Sequence, residues 1–87
     1  MTRNYIMDIT NIPLTAGQIV SQCNEICFHN VSGNTGVLYV NDMPVKPGCI
    51  FSLGGHPGEV DQTIYNTRIT GAVGTDYFYV VRKIDQQ

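Results

Sequence analysis

The sequence predicts an all-β domain: a compact antiparallel β-sandwich or partly open barrel of about seven short strands. Three observations carry that expectation. The stretches between turn signals are short and rich in Val, Ile, Thr, Tyr and Phe. Glycine, proline and asparagine clusters recur roughly every ten residues. No window of about 11 residues has a clear helical apolar period. The 87 residues are 43% hydrophobic and 9% aromatic, which fits one folded domain over 1–87 with a modest core and argues against disorder.

Taken in order, Arg3 to Asn11 is the first strand, and residues 1–13 form an N-terminal arm or edge strand that Pro13 ends. Leu14 to Val20 reads as a connection, with a single helical turn as the alternative. Cys23 to Val31 is a half-buried strand in which Ile26 and Phe28 alternate with Cys27 and His29. Ser32-Gly33-Asn34-Thr35-Gly36 is a loop, because glycine and asparagine tolerate positive φ. Val37 to Val40 follows as a strand, then an Asn41-Asp42 hairpin turn of the type that needs positive φ twice, then a very short strand at Met43 to Val45.

Lys46-Pro47-Gly48 supplies a type II turn, since proline fixes φ at its second position and glycine accepts positive φ at its third. Cys49 to Leu53 is the next strand. Gly54-Gly55-His56-Pro57-Gly58 breaks any regular element. Thr63 to Thr70 alternates Ile64, Asn66 and Arg68 with Tyr65, Thr67 and Ile69. Gly71 to Gly74 turns the chain into the last strand, Tyr77 to Ile84, with Asp85-Gln86-Gln87 expected to fray. Because Tyr77 to Ile84 is apolar on both faces, it is expected to be central or covered by a neighbour.

Charge narrows the function classes. Only 14% of residues are charged, against about 25% in typical soluble domains. The net charge of −2 leaves no electrostatic footprint for nucleic acid and no polybasic cluster for a membrane surface. No stretch approaches the roughly 20 apolar residues that span a bilayer. A surface poor in charge fits one covered by other protein, since the cores of interfaces lose charged residues. A surface that merely uses uncharged polar groups is the equal alternative. Cys23, Cys27 and Cys49 are odd in number, and MTRNYIMDIT has neither the apolar run nor the cleavage site of a signal peptide. The chain is therefore expected to be made in a reducing cytosol with free thiols.

The search for chemistry yields little. His29 sits mid-strand, and His56 in the Gly-Pro loop has no Ser or Cys poised beside it, so no catalytic residue is assigned. Cys23 and Cys27 have a zinc-like spacing, but no second ligand pair follows, and free cysteines usually serve as small buried hydrophobes. Glu59 and Asp61 form an acidic pair beside His56, read as solvated or capping. No metal or cofactor is expected, and no phosphate-binding glycine motif is present. Of the five tyrosines, Tyr39 and Tyr65 read as packing residues, while Tyr77 and Tyr79 lean toward contact with another subunit.

From Asn30 to Gly71 the chain carries Asn-Val-Ser-Gly, Val-Leu-Tyr-Val-Asn-Asp-Met-Pro-Val and Pro-Gly-Cys-Ile-Phe-Ser-Leu-Gly-Gly-His-Pro-Gly-Glu-Val-Asp-Gln-Thr-Ile-Tyr. This half of the chain resembles small all-β structural proteins of tailed-bacteriophage particles, and its shared motifs are turn-forming rather than catalytic. The resemblance implies a non-enzymatic virion component of the head-decoration or head-fibre type, made in the host cytoplasm and located in the virion. Its partners would be other virion proteins and itself, as a trimer or higher oligomer. Sheet edges with only Lys46 and Lys83 to guard them suit such assembly. The candidate interface residues are Tyr5, Tyr77, Tyr79, His56, Glu59 and Asp61, with Arg3 to Asn11 or Tyr77 to Lys83 as the contacting strand. The alternative is a small lectin-like module recognising a host-surface glycan through exposed Tyr, Asn and Asp.

Overall fold

The computed structural model describes residues 4–15, 17–54 and 60–86, without the side chains at 4, 5, 85 and 86. Its eight strands pair as one long hairpin folded over on itself. They are β1 (Asn4–Asn11), β2 (Gly17–Val20), β3 (Glu25–Asn30), β4 (Val37–Val40), β5 (Met43–Val45), β6 (Ile50–Gly54), β7 (Ile64–Thr70) and β8 (Phe78–Gln86). β1 pairs with β8, β2 with β7, β3 with β6 and β4 with β5, all antiparallel. The added pairings β3–β8 and β4–β7 assemble two sheets, a first of order β1-β8-β3-β6 and a second of order β2-β7-β4-β5. Strand pairs alternating between sheets in this way make the double Greek key of an eight-stranded jelly roll. The chain is thus an all-β sandwich.

Three sequence expectations are corrected. Residues 17–20 form a strand, β2, rather than a connection or a helical turn, which raises the strand number from about seven to eight. Asp85 and Gln86 do not fray but extend β8, opposite Tyr5 and Asn4. The third strand starts at Glu25 instead of Cys23 because Gln22 turns the chain with φ of 42°. Cys23 instead makes an isolated bridge with Asp61.

The core lies between the sheets. Ile26 and Phe28 of β3, Phe78 and Val80 of β8 and Ile12 face Ile19, Leu38, Val40, Val45 and Tyr65 of the second sheet. The alternation expected in β3, β7 and β8 is present: inward residues are buried and their neighbours are not, except in β8. There Val81, on the outer face between Ile9 of β1 and Cys27 of β3, is also buried. Burying side chains of this size stabilises by about 1.5–3 kcal/mol each.

Turn chemistry is local and appears as expected. Asn41 and Asp42 take φ of 47° and 67° at the tip of the long hairpin. Gly48 takes φ of 84°, and the Cys49 amide donates to the Lys46 carbonyl at 3.0 Å, closing the type II turn. Gly36 is required for a different reason: a Cβ there would lie 2.8 Å from the Ala72 backbone.

Asn30 ends β3 and is 2% exposed. Its side-chain amide donates to the carbonyls of Gly36 (3.1 Å) and Val45 (2.8 Å), and its side-chain oxygen accepts from Asn34 (2.8 Å). Its backbone donates to the Cys49 carbonyl and accepts from the Gly48 amide. One residue therefore joins the β3–β4 and β5–β6 connections. Asn30→Ala strands the buried carbonyls of Gly36 and Val45, and denaturant unfolding is expected to register a loss of about 2–4 kcal/mol.

Candidate interaction surface

Register assigns each side chain of the first sheet to a face. Rows Ile9–Val81–Cys27–Ser52 and Asn11–Tyr79–His29–Ile50 run across the outer face, with Met7–Lys83–Glu25 beyond. Most of these residues are apolar or aromatic: Ile9 is 60% exposed, Met7 58% and Ile50 58%. An ion pair on this face, Lys83 to Glu25 at 3.7 Å, lies in the outlying row. Ser52 donates from its hydroxyl to the Cys27 sulfur at 3.3 Å.

The aromatic residues form a group. His29 stacks on Tyr79 with ring centroids 4.4 Å apart and planes 9° from parallel. Tyr77 packs against Tyr79 at 5.4 Å, tilted by 39°. Burial pushes the His29 imidazole below its ordinary pKa. A depression of about 210 Å³ flanks the stack, lined by His29, Ser32, Gly48, Ile50 and Tyr79 among others.

Tyr77 is held by backbone and loop. Asn34 accepts from the Tyr77 amide (2.9 Å) and donates to its carbonyl (2.6 Å). Next to it, Asp76 accepts from the amides of Thr35 (2.9 Å) and Gly36 (2.7 Å). Burial pushes the Asp76 carboxyl up, but the Gly36 and Thr35 amides outweigh this and hold it below the usual carboxylate range. The β7–β8 connection that carries Tyr77 is thereby tied to the β3–β4 connection.

The candidate residues divide. Tyr77 and Tyr79 sit together on the outer face of the first sheet. Tyr5 lies in β1, opposite Asp85. His56 and Glu59 fall outside the described residues. Asp61 stands apart: its carboxylate accepts from the Tyr65 hydroxyl (2.5 Å) and the Thr63 amide (2.9 Å), and its carbonyl from the Ser21 hydroxyl (2.8 Å). Burial pushes the Asp61 carboxyl up, yet hydrogen bonds from Thr63 and Tyr65 leave it lowered overall. Burial and then the bond to Asp61 push the Tyr65 phenol up to about 12. As expected, Tyr65 packs inward, and Tyr39 lies against its sheet beneath the Arg68 guanidinium, 3.9 Å from the ring.

Cys23 is buried in the core, whereas Cys27 lies on the outer face of β3, so they do not share a face as their spacing on one strand would imply. Burial, then the Asp61 charge, push the Cys23 thiol up, which keeps it protonated and inert. Among the described residues no group of three or more His, Cys, Asp and Glu is placed to hold a metal ion. Residue type alone singles out Tyr77 and Tyr79. The exposed Met7, Ile9 and Ile50 and the stacked His29 join them only through cross-strand register, which the sequence does not display.

Compared with protein-family models, curated proteins and solved structures, the chain matches none.

Asp76 gives a pH signature. Its folded-state pKa is lowered, so its contribution to stability is present above the unfolded value of about 3.9 and is lost as pH falls through the folded one. Thermal midpoints of Asp76→Asn measured from neutral pH into acid are expected to start lower and to fall less steeply than those of the parent chain.

Proposed function

We propose that the chain is a non-enzymatic structural subunit of a bacteriophage particle, of the capsid-decoration type, which self-associates and binds other particle proteins. The observation that carries this reading is the apolar and aromatic outer face of the first sheet. Jelly rolls recur in viral capsid and lectin domains, and that adds support by fold-level analogy. The resemblance of the Asn30 to Gly71 segment to phage structural proteins points the same way. Several carboxylates act as ties within the fold: Asp8 holds Arg82, Asp61 holds Tyr65, and Asp76 holds two loop amides. That is an economy suited to a scaffold.

The outer face gives the reading its energetics. A sandwich ordinarily alternates polar residues outward along each strand. Here Met7, Ile9, Ile50, Tyr77 and Tyr79 interrupt that rule on the first sheet, and the outer face of the second mixes Gln18, Asn66 and Arg68 with Val20, Ile64 and Tyr39. Covering exposed apolar surface with protein recovers about 25 cal/mol per Å² before the costs of association are met.

The alternative reading, a lectin-like module for a host-surface glycan, is favoured by the His29–Tyr79–Tyr77 cluster and the depression beside it. The double variant Tyr77→Ala with Tyr79→Ala separates the two. On the structural reading it lowers binding to preformed particles, while folded-state circular dichroism is kept. If the variant assembles and binds particles like the parent but loses glycan-array signals that the parent shows, the lectin-like reading replaces the structural one.

A further inference from the structure

Among the strand edges of the two sheets, that of β1 is the longest, and its one charge, Asp8, is paired with Arg82 on the inner face. The two sheets end on β1, β6, β2 and β5. β2 and β5 have four and three residues, and β5 contains Pro44. β6 has five and ends on Gly54. β1 has eight, Asn-Tyr-Ile-Met-Asp-Ile-Thr-Asn, with no lysine, proline or glycine to blunt it.

Hydrogen-bond parity shows which β1 groups face outward. The Ile12 amide donates to the Phe78 carbonyl at 2.9 Å, and the register runs on without a bulge through Thr10↔Val80, Asp8↔Arg82 and Ile6↔Ile84. In an antiparallel ladder such residues alternate, so the even-numbered residues of β1 spend their backbone groups on β8. Tyr5, Met7, Ile9 and Asn11 therefore direct their N–H and C=O groups to the open side. On that same strand Met7 and Ile9 put their side chains on the apolar outer face.

We propose that β1 pairs antiparallel with β1 of a second copy about a two-fold axis through Met7, joining two first sheets into one continuous eight-stranded sheet. This pairing rests on the reading of the chain as a self-associating subunit. The pleat limits the choices, because opposed residues must share a face, so odd positions oppose odd ones. That excludes the full eight-residue overlap. Two seven-residue overlaps remain, centred on Met7 or on Asp8. Centring on Asp8 sets two carboxylates directly opposite in a pair without hydrogen bonds, where side chains approach most closely and like charges destabilise. Centring on Met7 opposes Met7 with Met7, Ile9 with Tyr5 and Asp8 with Ile6. The first two kinds of pair are hydrogen-bonded ones, and they satisfy backbone groups of Tyr5, Met7 and Ile9 in both copies. The two Met7 and Ile9 side chains then share one apolar strip.

Such a contact is isologous, so it yields a dimer or an even-numbered assembly with further symmetry axes. An edge pairing alone is small by the standard of stable interfaces, so the isolated dimer is expected to dissociate on dilution.

Cysteine scanning tests the register. In a chain carrying Cys27→Ser and Cys49→Ser, the substitutions Ile6→Cys, Met7→Cys, Asp8→Cys and Ile9→Cys are oxidised singly and run on non-reducing gels. Opposed residues of a hydrogen-bonded pair lie about 5.5 Å apart at Cα, which a disulfide can span. Met7→Cys is therefore expected to give the covalent dimer, and the other three to give far less. A maximum at Asp8→Cys or Ile9→Cys overturns the register. Met7→Pro is the second variant: its N–H faces the open side, so the β1–β8 ladder survives while the edge is blocked. Light scattering is expected to show the native mass of the parent dimer halved by Met7→Pro, with the circular dichroism of a folded β protein retained. If the parent is oligomeric and Met7→Pro leaves its mass unchanged, the edge pairing is wrong while self-association stands. If the parent is a monomer at every concentration, self-association itself fails and the pairing falls with it.

Discussion

The buried amide of Asn30 is the interaction on which the rest of this fold depends. A jelly roll folds one long hairpin over itself, so its connections must cross repeatedly from sheet to sheet. Each crossing leaves backbone groups without ladder partners, and those groups are costly when buried. Asn30 stands where two crossings meet. Its side chain takes up the carbonyls of Gly36 and Val45, and its backbone takes up Gly48 and Cys49. An apolar residue of the same size would pack there but could satisfy none of the side-chain partners.

That clamp reaches the outer surface through a short chain of contacts. Asn34 bonds Asn30 on one side and the Tyr77 backbone on the other. Asp76 binds the loop amides beside it. Tyr77 in turn packs on Tyr79, and Tyr79 on His29. The aromatic group is thus seated on the same corner that closes the core. A substitution at Asn30 or Asn34 therefore acts on the surface as well as on stability, although neither residue belongs to the stack.

How much of the fold is legible in the sequence depends on how local each determinant is. The turns at Asn41-Asp42 and Pro47-Gly48 are specified by two or three adjacent residues, and both are where the residue types put them. The alternation in β3, β7 and β8 is legible because each lies in a sheet with one face on the core. β2 escapes a sequence reading because Gly17–Val20 turns only Ile19 inward to burial, which is too short a signal to show a period. The ties of Asn30, Asn34 and Asp76 join residues distant in the chain, and no spacing rule announces them. Tyr77 and Tyr79 are legible by residue type alone. His29, Met7, Ile9 and Ile50 become their neighbours only through the β1–β8, β8–β3 and β3–β6 registers.

The first sheet presents two surfaces of different chemistry. The edge of β1 offers alternating donors and acceptors, the groups that the proposed β1–β1 pairing would use. The face offers aromatic rings and aliphatic side chains, with the Lys83–Glu25 ion pair set at its margin. The two are perpendicular to one another, so occupying the edge does not cover the face; it doubles the face's extent by laying two sheets side by side. On the proposed pairing, the chain would join its own copy through backbone hydrogen bonds and leave its side-chain surface open. That division of labour follows from β8 being central: it leaves β1 at the rim with its odd-numbered backbone groups outward, while Val81 and Tyr79 continue the apolar rows across the middle of the sheet.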